Sequence, residues 1–492
     1  MHIKRVTLEN VKSFRGKHQF DLTPGVNFFV GDNNSGKSTV LQALLFVFEG
    51  PSATKWTPET FYTADARPTR VVVDIAGKVD ELVQRDKFKV LKDFVFEDAG
   101  EPILRLERSS EERTVQQSGK DKKVDVKAVC FWHPQRGQFE NVTGIDAKVK
   151  AIFDFEAIWA DAHPGDHIDF ASTKTLGRLL DSSFQRFVET APWKALTEAH
   201  EKAFSHDSEE SFMGQTKELA SGLKELVDEQ YGEADYRFDF GLPDAGVFMK
   251  QGRLHVDDGA GETPVSGKGT GMQRAIALGI IQLYARSGAL TEASSHTPLI
   301  LMLDEPETWL HPSAQLKLGE ALSRIGEQEQ VFIITHSPYL IRKFDPQHHL
   351  LTVLSGQGEN RRVHPSTTFG LFGKGEPTWG EINYQAFEVC SNDFHNELFG
   401  YVQQHLESKK SNDKFASEKE IDSYLRQKGI PQTRTWVRNS AQSDQRTLPV
   451  YVRNAIHHPE NSLNPDFTQD ELQESIQNLI GVVKDINSAP AT

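Results

Sequence analysis

The chain has 492 residues, of which 37% are hydrophobic and 25% are charged, a composition that predicts a soluble globular protein of two or three domains. Its net charge of −15 argues against broad, non-specific binding of duplex nucleic acid, but leaves room for a local basic site. The sequence has no long apolar run typical of a membrane span, and no secretory signal at its start. Cys130 and Cys390 suggest neither a disulfide framework nor a metal site. We therefore expect a cytoplasmic protein without a membrane partner.

The first 80 residues have the pattern of two strands, a phosphate-binding loop, a helix and further strands. The loop GDNNSGKST has the G-x-x-x-x-G-K-S spacing, and it lies between the apolar strand VNFFV and the helix STVLQALLFVF. In such a loop the main-chain N–H groups wrap phosphates, the lysine reaches the β and γ phosphates, and the serine binds Mg²⁺. The sequence therefore predicts a site for ATP and Mg²⁺ formed by Asn33, Asn34, Ser35, Gly36, Lys37, Ser38 and Thr39.

Two later apolar strands end in polar residues that suit the same site. Apolar residues recur at helical spacing from about 172 to 232, which predicts a helical insertion before these strands. The run LILMLDE ends in Asp304, which we expect to hold Mg²⁺, and in Glu305, which we expect to polarise the water that attacks ATP. The run VFIITH ends in His336, which is placed to sense the γ-phosphate, although a structural role is the alternative.

These motifs together resemble those of the ABC-type ATPases. The opening IKRVTLENVKSFRG and the segment EPETWLHP are similar to the OLD, SMC and Rad-type branch, which includes DNA-repair and phage-defence ATPases. The resemblance covers about residues 1–355 and implies an α/β P-loop ATPase that forms a head-to-tail dimer, or a higher oligomer, around two ATP molecules. It also implies a signature loop that contacts the partner subunit's nucleotide. The candidate is SGKGTGMQRAIALGI, with Thr270, Gly271 and Gln273 in the positions of a Ser-Gly-x-Gln core.

A turn-rich segment suggests a domain boundary after the ATPase. It predicts a linker over 356–377, between an ATPase domain of residues 1–355 and an all-α domain of residues 378–492. OLD-family proteins usually carry a Toprim metal nuclease at this point, but the glutamate and Asp-x-Asp pattern of that nuclease is missing, so no two-metal DNase is predicted. Thr468 and Glu471 have the spacing of a capping box at the start of the last helix.

The tail contains TLPVYVRNAIHHPEN, which predicts a short helix that ends before Pro459. Arg453 and His457 are i, i+4 neighbours on this helix, as are Asn454 and His458, so all four should converge at its end. The negative helix end should favour a protonated imidazole. A cation beside a titratable histidine suits RNA cleavage without metal, whereas capping of helix carbonyls is the alternative interpretation.

The spacing Arg453-x4-His458, with Asn454 after the arginine, resembles the R-x(4–6)-H motif of HEPN-family ribonucleases. This resemblance implies that two HEPN-like domains face each other in a dimer and form one active centre for RNA, with tRNA as one candidate substrate. The catalytic histidine stays open between two residues, since the family spacing selects His458 while His457 is the better neighbour of Arg453 on a regular helix.

The two resemblances imply an antiphage protein of the abortive-infection type, in which an ATPase controls a metal-independent ribonuclease. One alternative is a sensor or scaffold ATPase that holds and releases a separate toxin or nuclease. A second is a DNA-repair ATPase of the SMC-like type. A phage-encoded trigger is a further expected partner, and the sequence does not indicate whether ATP activates or restrains the tail.

Overall fold

The computed structural model describes residues 1–54, 67–117, 120–160, 168–170, 175–205, 208–238, 245–259, 261–288, 297–308, 310–356, 361–366, 369–373, 377–410, 415–439 and 442–488. The chain divides into two compact units. We call Met1–Ala160 with Ala293–Thr492 the body, and Asp161–Glu292 the insertion unit. Among the described residues, no helix combines the length and the apolar character needed to cross a membrane.

A mainly parallel sheet of six strands forms the centre of the body. Its order is β11 (Asp154–Ile158), β14 (Leu299–Asp304), β15 (Gln330–Ile334), β3 (Val26–Gly31), β16 (His349–Ser355) and β17 (Arg362–Ser366). The first five strands are parallel, and β17 runs antiparallel to β16. Every residue of β14 and β15 is buried, as expected for strands covered on both faces. The carboxyl ends of β3, β15 and β14 therefore meet at one edge of the sheet.

A second sheet of the body is antiparallel and has seven strands. Its order is β10 (Gln138–Glu140), β9 (Cys130–His133), β6 (Glu101–Ser109), β4 (Arg70–Ala76), β1 (His2–Val11) and β2 (Phe14–Asp21), with β5 (Val95–Asp98) also paired to β6. Helix α1 (Lys37–Phe48) contacts strands of both sheets, and its apolar residues share one core with them. The buried Gln330 side chain also links the sheets, because it exchanges hydrogen bonds with the main chain of Ile3 and donates to Thr23 O.

Shorter elements complete the body before the tail. They are α2 (Pro51–Thr54), α3 (Val79–Gln84), the hairpin of β7 (Arg113–Gln117) and β8 (Lys120–Val124), α10 (Pro312–Gly326) and α11 (Pro338–Ile341).

The insertion unit is mainly helical. It contains α4 (Thr175–Val188), α5 (Ala191–Ala203), α6 (Phe212–Gln215), α7 (Lys217–Tyr231), α8 (Ala245–Lys250), the hairpin of β12 (His255–Asp257) and β13 (Glu262–Pro264), and α9 (Thr270–Gly288). Helices α4 to α7 lie where helical spacing predicts an insertion, and the compact unit extends beyond that prediction on both sides.

The tail of the body is not all helical, so this part of the predicted fold is wrong. It contains α12 (Trp379–Phe387), α13 (Asn392–Ser408), α14 (Glu418–Gln427), a hairpin of β18 (Gln432–Asn439) and β19 (Gln442–Thr447), α15 (Leu448–His457) and α16 (Gln469–Ser488). The hairpin is fixed by Asp422, whose carboxylate accepts hydrogen bonds from Thr447 and from the Gln432 side chain. The predicted capping box of α16 is confirmed, since Thr468 and Glu471 exchange hydrogen bonds at 2.9 and 3.2 Å.

The predicted linker over 356–377 contains an element of the central sheet. Strand β17 lies within it and pairs with β16 from Leu351 to Ser355. Residues 357–360, 367–368 and 374–376 lie outside the described part of the chain. The tail also belongs to the same compact unit as the sheet, so the predicted boundary does not coincide with a division between units.

Candidate functional site

The predicted phosphate loop lies between β3 and α1, with left-handed backbone at two positions. Asn34 has φ +63° and Gly36 has φ +95°. A Cβ on Gly36 would lie 2.7 Å from the Phe14 ring, so glycine is required there for space as well as for conformation. Asn33 and Asn34 are exposed, whereas Ser35 and Thr39 are buried. Within the described residues the buried Ser35 hydroxyl has no hydrogen-bond partner, which suits a loop that awaits a polar ligand.

Lys37 is held against the loop that precedes it. Its Nζ donates hydrogen bonds to the main-chain oxygens of Gly31 and Asp32, at 2.9 and 2.8 Å. Burial lowers the pKa of Lys37, while the carboxylates of Glu305 and Asp304 act in the opposite direction. The ammonium group is therefore fixed within the loop that would wrap the phosphates.

The two residues predicted to bind magnesium are in contact. Ser38 Oγ donates a hydrogen bond of 2.8 Å to Oδ2 of Asp304, which is buried at the carboxyl end of β14. A hydroxyl and one carboxylate are the ligands that proteins commonly give to a Mg²⁺ ion that also binds nucleotide phosphates. These residues fit Mg²⁺–ATP, and a bound ion would neutralise negative charge on the phosphates.

Glu305 and His336 lie together at the ends of the neighbouring strands β14 and β15. Glu305 has the left-handed φ of +50°, and its N–H donates to Ile334 O at 2.9 Å. A non-glycine residue in this conformation costs about 1–3 kcal/mol and is often found at functional sites. His336 Nε2 lies 3.9 Å from Glu305 Oε1. Burial lowers the pKa of His336, and the charge of Lys37 adds to this effect while Glu305 opposes it, so the net effect favours the neutral imidazole.

Glu307 is a positioning residue that the motifs did not single out. Its Oε1 accepts hydrogen bonds from Thr335 Oγ1 at 2.8 Å and from the His336 N–H at 2.7 Å. Burial raises the pKa of Glu307, and its other oxygen has no partner among the described residues. The carboxylate thus fixes the backbone that carries His336. The only feature of the sequence that could have pointed to Glu307 is its position two residues after Glu305.

Arg361 was also missed, because it lies in the segment predicted to be a linker. It is only 7% exposed. Its Nη2 donates to Asn34 O at 3.1 Å, its Nη1 donates to Ser13 Oγ, and its guanidinium lies 4.7 Å from the centroid of the Phe14 ring. This arginine, which immediately precedes β17, therefore touches the phosphate loop from the segment that leads to the tail.

The candidate signature residues lie at the start of α9 in the insertion unit. Thr270 is exposed and Gly271 is half-buried. Gln273 is buried, and its Nε2 donates to the main-chain oxygens of Ser266 and Lys268 at 3.3 and 2.7 Å. The Gln273 amide thus shapes the loop before the helix, and contact with a partner subunit's nucleotide stays a prediction.

The tail motif lies at the end of α15, as the sequence predicts. The helix ends at His457, and His458 is its C-cap residue before Pro459. Both histidines are exposed, Arg453 is half-buried and Asn454 is buried. Arg453 Nη1 donates to Asn454 Oδ1 at 3.3 Å, and the asparagine is buried rather than exposed to solvent. The expected convergence of all four side chains at the helix end is therefore wrong for Asn454.

The surroundings of the two histidines also differ from the prediction. Partial burial lowers the pKa of His457, and the charges of Arg453 and His458 add to this effect. Both effects, burial first, oppose the expected preference for a protonated imidazole at His457. His458 Nδ1 lies 3.3 Å from Glu460 Oε1. Beneath the helix, His395 is fully buried and bonded to a serine, and burial lowers its pKa to about 3.

Arginines of the hairpin are engaged in ion pairs. Arg434 pairs with Glu471, and its guanidinium lies 4.3 Å from the centroid of the Tyr451 ring. Arg438 pairs with Glu418 at 3.1 Å, and the buried Arg446 pairs with the same carboxylate at 2.8 Å. These cations are therefore largely neutralised by acids of the tail itself.

Comparison with known proteins places the chain in a family. Residues 26–342, more than half of the chain, match the family described as "AAA domain, putative AbiEii toxin, Type IV TA system". The chain is also 27% identical over 326 residues to the Old nuclease of Escherichia phage P2, a match that covers 63% of this chain and 53% of that protein. The chain thus spans about half the length of this curated relative.

Solved structures give weaker matches, each covering 74% of this chain. They are an SmcHead bound to the C-winged helix domain of ScpA (12% identity, TM-score 0.39, 98% of that chain), the SMC head domain from Thermotoga maritima (14%, 0.34, 99%) and an Smc head domain bound to the C-terminal domain of ScpA derived from Pyrococcus furiosus (13%, 0.40, 96%). The match over residues 26–342 contains the phosphate loop, Asp304, Glu305 and His336, and the chain therefore belongs to this AAA-domain family and has its ATPase-type nucleotide site.

Proposed function

We propose that the chain is an ATP-hydrolysing defence protein whose nucleotide state controls a metal-independent ribonuclease site in its tail. The observation that carries this proposal is the exposed pair His457 and His458 at the end of α15, beside the half-buried Arg453. The proposed assembly is a dimer in which the ATPase bodies enclose two ATP molecules and the two tail motifs face each other.

The exposed side chains suit cleavage of an RNA phosphodiester bond. One imidazole takes the proton of the 2′-hydroxyl as its oxygen attacks phosphorus, and a second gives a proton to the departing 5′-oxygen. The products are a 2′,3′-cyclic phosphate and a free 5′-hydroxyl. Arg453 stabilises the extra negative charge on the phosphorus oxygens. His458 is the first candidate because of the family spacing, while the lowered pKa of His457 suits the role of proton acceptor.

A contact within the body offers a route from nucleotide to tail. Helix α11 begins directly after His336 and Ser337, and its Tyr339 packs edge-to-face on Trp379 of α12, with ring centroids 4.9 Å apart. Arg342 lies 5.5 Å from the Trp379 ring centroid and donates a hydrogen bond to Pro377 O. A change in the position of His336 on ATP binding would therefore reach the first helix of the tail through packed side chains.

Two similarities of the chain support a role in defence. The family description includes a toxin of a Type IV toxin–antitoxin system, and the curated relative is a phage nuclease. On this proposal the substrate is RNA, with tRNA as the first candidate, and a phage component is the expected trigger.

A second candidate function is a sensor ATPase that holds a separate toxin or nuclease. The ion pairs of Arg434, Arg438 and Arg446 favour it, because cations neutralised by acids bind RNA phosphates poorly. The net charge of −15 points in the same direction.

Cleavage of labelled tRNA by the purified chain, with and without ATP and Mg²⁺, tests the proposal. We expect His458→Ala or His457→Ala to slow cleavage about 100-fold or more, since general acid–base catalysis contributes about 10²–10⁴-fold. His255→Ala, which changes an exposed histidine of the insertion unit, is the matched control and should cleave normally. Unchanged cleavage in both motif variants would overturn the assignment. Wild-type protein that is inert with and without ATP would favour the second candidate.

A further inference from the structure

Arg361 has no role in the function proposed above, and it lies beyond residue 342, where the family match ends. We propose that Arg361 is a positioning residue of the nucleotide site, which fixes the phosphate loop and supplies positive charge to bound ATP. The segment that leads to the tail would then be part of the ATPase site. This inference is independent of any ribonuclease activity.

The guanidinium of Arg361 joins two segments of unusual backbone. One is the turn between β1 and β2, where it donates to Ser13 Oγ next to Lys12, a residue with φ +49°. The other is the phosphate loop, where it donates to the carbonyl of Asn34, which has φ +63°. Left-handed residues other than glycine persist only where the surroundings hold them. The hydrogen bonds of Arg361 stabilise both segments at once.

The same guanidinium lies close to the glycine of the loop. A Cβ added to Gly36 would be 3.3 Å from Arg361 Nη1 and 2.7 Å from the Phe14 ring, on which the guanidinium stacks. Gly36 immediately precedes Lys37, at the start of α1, where the helix N-terminus and loop amides would face phosphates. The positive charge of Arg361 therefore lies beside the group that would bind the nucleotide's anionic part.

Among the described residues, no acid is paired with Arg361. Its contacts in the described part of the chain are a hydroxyl, a carbonyl and an aromatic ring, and its Nε is buried without a hydrogen-bond partner. Burial lowers the pKa of Arg361. A buried cation without an acid is costly, and an anion relieves that cost. The phosphates of ATP are the anions that the adjacent phosphate loop would bring to Arg361.

The test compares Arg361→Gln with Arg361→Lys and with Arg362→Gln, which changes the exposed neighbouring arginine. The dissociation constant of a fluorescent ATP analogue, the KM and kcat of ATP hydrolysis, and the melting temperature with and without ATP are measured on the purified full chain. We expect Arg361→Gln to weaken nucleotide binding about 10-fold to 100-fold and to raise KM with kcat changed less, since hydrogen bonds to charged groups contribute about 1.5–3 kcal/mol. Arg361→Lys should recover part of the affinity because it restores the charge, and Arg362→Gln should match wild type.

The melting temperature separates a nucleotide role from a structural one. Arg361→Gln loses the hydrogen bonds to Ser13 and Asn34 and should melt lower than wild type without ATP. If Arg361 also awaits an anion, ATP should raise the melting temperature of this variant less than that of wild type. Affinity within twofold of wild type in Arg361→Gln would overturn the proposal. So would a variant that melts lower without ATP yet gains the full wild-type increase when ATP is added.

Discussion

The contact of Trp379 with α11 should determine how strongly ATP affects the tail. Trp379 is 37% exposed, and its ring packs on Tyr339 and lies under the guanidinium of Arg342. Trp379→Leu keeps an apolar side chain but removes both aromatic interactions. An aromatic pair contributes about 0.5–1.5 kcal/mol beyond burial, and an exposed cation–π contact about 0.5–1 kcal/mol. The substitution should therefore remove about 1–2.5 kcal/mol from the connection between α11 and α12.

This energy sets the expected size of the functional effect. Allosteric coupling free energies are commonly about 1–3 kcal/mol, so a loss of about 1–2.5 kcal/mol would remove most of the coupling. ATP changes the rate of RNA cleavage by some factor in the wild type, and in Trp379→Leu this factor should be about 5-fold to 70-fold smaller. ATP hydrolysis should change little, because Trp379 does not touch the phosphate loop residues described above.

Two measurements check this reasoning. The first is the cleavage ratio in Trp379→Leu beside Phe415→Leu, which changes an aromatic residue of the tail that is 83% exposed. The second is a double-mutant cycle on unfolding with Tyr339→Leu and Trp379→Leu, which should give a coupling of about 0.5–1.5 kcal/mol. A cleavage ratio in Trp379→Leu equal to that of wild type would refute the proposed route, even if the cycle gave the expected coupling.

Three further predictions concern the body. Glu305→Gln should bind ATP normally but release phosphate about 100-fold more slowly, because it loses the proposed base; normal turnover would exclude that role. Ser38→Ala removes the hydrogen bond to Asp304, and the Mg²⁺ concentration for half-maximal hydrolysis should rise about 10-fold, whereas an unchanged Mg²⁺ titration would contradict the assigned ligand. Burial raises the pKa of Glu329 from 4.5 to about 7, so its contribution to stability is complete below pH 4.5 and is lost as the pH rises through 7. Glu329→Gln keeps an acceptor for the Leu299 N–H but does not titrate. As the pH rises from 4.5 to 7, its free energy of unfolding in urea should increase by about 3 kcal/mol relative to that of wild type. Equal pH dependence of unfolding in the two proteins would refute this prediction.

The sequence was sufficient to predict the central part of the ATPase site. Gly36, Lys37 and Ser38 follow one buried strand, and Asp304 and His336 end two others, so parallel pairing alone brings them to one edge. These residues meet because each follows the end of a strand, and local sequence patterns are sufficient to predict where a strand ends.

Residues that act across long sequence separations could not be predicted in this way. Arg361 contacts Asn34, which is 327 residues earlier. The strand that follows Arg361, β17, contains Pro365 and alternates poorly, so its sequence resembles that of a loop. The hairpin before α15 has mostly polar strands, and its position depends on Asp422 and on packing of Trp436 against Tyr451. No pattern within either strand signals those partners.

The order in which the central sheet is assembled has a consequence for synthesis of the protein. Strand β3 pairs with β15 and β16, and Gln330 bonds to Ile3 and Thr23, which are 327 and 307 residues earlier. Strand β3 must therefore wait until most of the chain has been synthesised before it pairs, and such long-range pairing is intrinsically slow and exposed to aggregation. The histidine motif of α15 is translated later still. The part proposed to cut RNA is thus made only after the part proposed to govern it can fold.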